Sequence, residues 1–286
     1  MTITKRHVDV EHLLGLYLNF VPGPAQADLF RADMRVMNPV LLKDAIKECT
    51  ATRGTQKIHR MDHRVAIQGV YTRKTKELAA LYPFLFSVEN ALRLAAAQHY
   101  GTVFGNDSWW TVIRDKVFEG MDEKCFPTNA NQKKNIRGTP VNPKFIKELF
   151  YSIGNMPKAG RNELTNPSTD DALYLNLSLG SLFNLIDADW EISRDMFLSD
   201  QALGLKLRKN DIKTAGQIVK SARNELFHGK PIGDVSKVAR ACENLLDKVG
   251  FHMGDFDTRL SKSQITRPQA IIPRRGHHSY PADQLN

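Results

Sequence analysis

The chain is poor in cysteine: three in 286 residues. Cys49, Cys125 and Cys242 match no CxxC or Cys/His spacing and are odd in number, which speaks against a disulfide framework or a structural zinc site and leads us to expect a reducing, cytoplasmic setting. Long apolar runs are also missing. None approaches the roughly 20 residues of a membrane span, and the start, MTITKRHVDVEHLL, is charged where a secretory leader is apolar, so neither secretion nor insertion is expected. No GxxxxGK[ST] loop, no GxGxxG after a strand, no HExxH and no GxSxG occurs. Phosphate-loop, dinucleotide, zincin and hydrolase-elbow chemistries therefore lack a foothold, and no cofactor or metal is expected.

What is present suffices for a globular core, since 42% of the residues are hydrophobic. Forty Lys plus Arg against thirty-one Asp plus Glu give a formal charge of +9, a bias toward polyanions such as nucleic acid. Charge of this size occurs in many proteins that bind no RNA, so by itself it leaves the partner open.

Apolar positions recur mostly at helical spacing. Short bursts at Val10–Leu18 and Val40–Ile46, the second with Asn38 as N-cap and Pro39 at the first helical position, predict a helical N-terminal extension over residues 1–72. Lys74 to Tyr100 reads as a longer helix in which Leu85, Val88, Leu92, Ala95 and His99 share a face, with Pro83 either kinking it or starting its main part. Residues 101–143, rich in Gly, Asn, Pro and charge, read as a loop-rich insertion; a short helix over Lys144–Ile153 and a loop, GNMPKAGRNELTNPSTDD, follow. Tyr174–Leu179 alternates like a strand, yet Leu175, Leu179, Leu182, Phe183 and Ile186 form one helix face, and Ser168 with Asp171 supplies a capping box. Ile212, Ala215, Val219, Ala222 and Leu226 predict a core helix ending near Gly229, and a last helix runs from Asp234 to Gly250. Residues 73–252 thus read as an all-α bundle, and 253–286 as a flexible basic tail.

The end of the core helix, SARNELFHGKP, gathers chemistry. Asn224 and His228 stand four apart on one side, and Arg223 follows Val219 by about one turn at the border of the buried stripe, so the three polar groups are placed to converge. The partial negative charge of a helix C-terminus favours an imidazolium there, while Lys230 opposes it. A bland alternative stands beside this one: His228 as partner of the last carbonyls and Arg223 as member of an ion pair.

RNELFH resembles the R-x4-6-H signature of the HEPN superfamily of ribonucleases. An early helix, FLFSVENALRLAAAQHYG, is similar to the E-x3-R helix of the Abi-like (abortive infection) branch, and LYLNLSLGSLFNLIDADW is similar to its apolar segment with a Gly and a following Trp. The order also agrees. The resemblance covers roughly residues 75–252 by order and pattern and leaves out the first seventy residues, the insertion and the tail. It implies Arg223 and His228 as the catalytic pair, Asn224 as the polar residue after the Arg, and Glu89 with Arg93 as a supporting pair. Glu89 and Arg93 equally suit an i,i+4 helix ion pair. The resemblance further implies a HEPN-like bundle, a homodimer, and metal-independent RNA cleavage in antiphage defence or as the toxin of a toxin–antitoxin system restrained by an RNA or protein antitoxin. The alternatives are a non-catalytic RNA-binding HEPN-like module and a helical protein-interaction domain.

Outside the motif, Lys133, Lys134, Arg137 and Lys230 are candidate phosphate contacts. Trp109 and Trp110 either add a stacking surface or pack the insertion onto the bundle. In the tail, Arg274, Arg275, His277 and His278 are candidates for contact with RNA or an inhibitor.

Overall fold

The computed structural model describes residues 24–52, 62–120, 133–167, 171–197 and 207–251, with His12, Leu14, Gly15 and Tyr17. Most of the Val10–Leu18 burst, the Ser168 cap, Cys125 and the tail lie outside the described residues. The fold is all-α, with a single hairpin among the described residues. The helices are α1 (Pro24–Val36), α2 (Pro39–Thr52), α3 (Asp62–Phe104), α4 (Thr111–Phe118), α5 (Pro143–Gly154), α6 (Lys158–Thr165), α7 (Ala172–Asn176), α8 (Leu179–Ala188), α9 (Trp190–Ser193), α10 (Lys209–Phe227) and α11 (Val235–Lys248); β1 (Lys134–Ile136) and β2 (Thr139–Val141) pair antiparallel between α4 and α5. No described helix is long and apolar enough to cross a membrane.

Two compact units divide the chain. Among the described residues, one holds those up to Leu81 with Asn224–Val235, the other Tyr82–Arg223 with those from Ser236 to Phe251. In the first, Leu14, Tyr17, Phe30, Leu42, Ile46, Ile67 and Val70 form a buried cluster. Asn38 caps α2 as expected, its side-chain oxygen accepting from the backbone N–H of Val40 and Leu41 at 2.9 and 3.2 Å. Charged groups tie the helices in register: Arg64 donates twice to Asp33 at 2.7 and 2.8 Å, and Arg73 bridges Glu48 and Glu77.

In the second unit an aromatic core joins the end of α3 to the segment after it. Tyr100, Trp109, Phe145 and Tyr174 are at most 1% exposed, and Trp109 Nε1 donates to the Tyr174 hydroxyl at 3.1 Å. The tryptophans therefore pack; a buried indole ring offers no face to a base. The described part of the stretch read as a loop-rich insertion gives Trp109 to this core and contains α4 and the hairpin. The hairpin closes on Arg137 and Gly138, with φ of +50° and +88°, the left-handed pair of a two-residue turn.

Other boundaries differ from expectation for physical reasons. The helix expected from Lys74 starts at Asp62 and carries Pro83 inside it. The predicted loop after α5 contains α6, because Pro157 precedes the helix and supplies a fixed φ at its start rather than a break. The single helix expected through Tyr174–Ile186 is two. The chain is extended at Leu177 and Ser178, and Ser178 Oγ accepts from the Ser181 N–H at 3.0 Å to start α8. Leu175 consequently falls on the open side of short α7, 47% exposed, while Leu179, Leu182 and Ile186 are buried.

Candidate functional site

The last turn of α10 is shaped by Gly229. Its φ of +60° allows the Lys230 N–H to reach the Glu225 carbonyl at 2.8 Å and the Gly229 N–H to reach that of Leu226 at 3.0 Å, a Schellman closure with His228 at the C-cap. A Cβ on Gly229 would stand 2.3 Å from Asn38 Nδ2, so the turn is held against the residue that caps α2. Asn224, His228 and Lys230 are exposed there, and the His228 N–H donates to the Asn224 carbonyl at 3.1 Å.

Arg223 is placed differently. It is half-buried, and its guanidinium grips Glu89 of α3 in a two-point contact, Nε to Oε2 at 2.9 Å and Nη2 to Oε1 at 3.3 Å. Glu89 is 9% exposed and also accepts from Arg93 Nη2 at 2.7 Å, one helical turn on. Arg93 Nη2 in turn donates to the Leu177 carbonyl at 2.8 Å, at the extended break before α8. Burial pushes the Arg93 guanidinium below its ordinary value; Glu89 opposes that shift and nearby Arg223 adds to it. Two cations share one carboxylate, a knot of formal charge +1.

The structure thus brings Glu89, Arg93 and Arg223 together. The other candidates stand elsewhere: exposed Lys133 precedes β1, Lys134 is within it, and exposed Arg137 tips the hairpin. Two features were missed in the sequence. The Leu177 carbonyl became a partner of Arg93 only through the break before α8. Lys209, Lys213 and Lys220 share a face of α10 with Gly216, and their spacing of four, three and four was a readable signal.

Among the described residues, no group of three or more His, Cys, Asp or Glu side chains is placed to hold a metal ion. Comparison of the chain with family models, with curated proteins and with solved structures gave no match.

Proposed function

We propose that the protein is a metal-independent endoribonuclease of the HEPN type, acting as a cytoplasmic homodimer in antiphage defence or as the toxin of a toxin–antitoxin system, with an RNA or protein antitoxin as its restraint. The observation that supports this reading is the Glu89–Arg93–Arg223 knot. The HEPN resemblance implied Glu89 with Arg93 as a supporting pair; 134 residues separate Glu89 from Arg223, and the side chains of all three meet.

RNA carries its own nucleophile. The ribose 2′-oxygen attacks the adjacent phosphorus while its proton passes to a base; the bond from phosphorus to the 5′-oxygen breaks, and that oxygen takes up a proton. The products are a 2′,3′-cyclic phosphate and a 5′-hydroxyl. An imidazole is suited to proton transfer near neutral pH, and His228 carries one such step; Asn224 adds a neutral polar group beside it. Arg223, oriented by Glu89, supplies positive charge toward the phosphoryl oxygens as negative charge gathers on them, and Arg93 keeps the knot cationic overall. Lys230, Lys133, Lys134 and Arg137 act on the backbone phosphates, a role that sets affinity and salt dependence rather than sequence.

The two-point pairing of Arg223 with Glu89 favours a second reading as well, in which the arginine is a structural tie and the protein is a non-catalytic RNA-binding or protein-interaction module. The variants Arg223→Ala and His228→Ala, incubated with single-stranded and structured RNA in EDTA, separate them. Cleavage lost in both supports the nuclease, RNA retention without cutting supports the binder, and no effect on RNA supports the interaction domain.

A further inference from the structure

Helices α8 and α10 run antiparallel in the second unit. Lys220 lies against Gly180, Phe183 against Gly216, and Lys213 and Lys209 against Asp187. Gly216 is what lets the helices approach, since a Cβ there would stand 2.6 Å from the Phe183 ring. Beside this crossing opens a cavity of about 180 Å³. Phe183, Ile186, Trp190 and Ile212 give it apolar walls, and Lys209, Lys213 and Lys220 against Asp187 give its lining a formal charge of +2.

Lys209 and Lys213 are held in place. Lys209 Nζ donates to the Asp187 carbonyl oxygen at 2.8 Å and lies 3.0 Å from its carboxylate, while Lys213 Nζ lies 3.5 Å from the other carboxylate oxygen. Lys220 lies over Gly180, with its Cε 3.0 Å from where a Cβ would be. On an ideal helix Lys209, Lys213, Lys220 and Arg223 fall within an arc of about 80°, and Lys220 precedes Arg223 by about 4.5 Å of rise. The cations of the cavity and of the Glu89 knot therefore form one ridge.

We propose that this cavity is a nucleotide subsite, taking one base against the Phe183 and Trp190 walls and its phosphate on Lys213 and Lys220. The volume selects a fragment: it is below the roughly 300 Å³ at which pockets for larger ligands begin, so a single base fits and a dinucleotide cofactor does not. Apolar and aromatic walls with cations at the rim suit a flat base bearing an anion. The choice of a nucleotide over other planar anions rests on the RNA-cleaving reading above.

Trp190 reports on the site, because Trp109 and Trp110 are 0% exposed and only Trp190 lines the cavity. The full chain is titrated with a 2′-O-methylated RNA octamer, which lacks the nucleophile, with nucleoside 5′-monophosphates and with inorganic phosphate, following tryptophan fluorescence. The octamer quenches, and inorganic phosphate does not. Quenching by the octamer alone assigns the site to a strand; quenching by monophosphates at similar concentration assigns it to free nucleotides. In Lys213→Ala/Lys220→Ala, both changes on accessible side chains, affinity falls about tenfold or more and the log–log salt slope flattens by about 1.4. Octamer affinity unchanged in that variant, or no quenching by any nucleotide, overturns the proposal. Lysine-dependent quenching in a protein that cuts no RNA keeps the cavity and discards the nuclease; RNA cutting with lysine-independent affinity does the reverse.

Discussion

Arg223 and Glu89 meet through two hydrogen bonds, at 2.9 and 3.3 Å, with the carboxylate almost wholly shielded from water. A carboxylate in that position is held by its cations, and each cation by it. In Glu89→Ala, Arg93 and Arg223 lose the carboxylate they share. Stability falls by about 2 kcal/mol in urea denaturation, less than the ~3–5 of a fully buried pair because Arg223 remains 31% exposed. In a double-mutant cycle with Arg223→Ala, the two losses are not additive.

His228 offers the opposite signature. It is exposed at a C-cap whose geometry depends on the backbone of Gly229 rather than on the imidazole. His228→Ala therefore changes stability by less than about 0.5 kcal/mol. On the proposed nuclease reading the same substitution abolishes RNA cleavage, and thermal unfolding beside an RNA assay checks both at once.

Gly216→Ala sets two effects against each other. Alanine gains up to about 1 kcal/mol of helix propensity, but its Cβ meets the Phe183 ring at 2.6 Å, and overpacking costs about 1–3 kcal/mol. The overlap is with a ring packed beside the antiparallel helix, so the net effect is destabilising. Phe183→Leu added to Gly216→Ala recovers most of the loss, as chemical denaturation of the three variants will show.

These contrasts indicate what a sequence carries. The stripe of α10, the Asn38 cap and the glycine end of α11 were legible, since each depends on spacing or on one residue's local chemistry. Packing of Trp109 and Trp110 was one of the two readings offered, but the partners were not legible, since Phe145 and Tyr174, which meet Trp109, arrive from later in the chain. Nor was the break at Leu177–Ser178, where a serine at a cap looks like any serine in a helix. The pairing of Glu89 with Arg223 leaves no mark in periodicity, and the family resemblance named Glu89 and Arg93 a supporting pair without saying what they meet.

Cys242, fully buried in α11, has its thiol pushed up to about 12, chiefly by burial and further by Glu243. Its ordinary value is 9.0, so the folded state holds the proton when the unfolded chain has lost it. Stability from this group is complete below pH 9 and declines as pH rises from 9 toward 12. Cys242→Ala flattens that decline, measured by denaturation at stepped pH, and in the wild type at neutral pH the thiol resists alkylation until the protein unfolds.

The most direct test of the account is RNA incubated with the purified protein in EDTA and the chemistry of the new ends determined. The account predicts 2′,3′-cyclic phosphate and 5′-hydroxyl ends from the wild type, and none from Arg223→Ala or His228→Ala. Intact RNA with the wild type, or the same ends at undiminished rate from either variant, would contradict it.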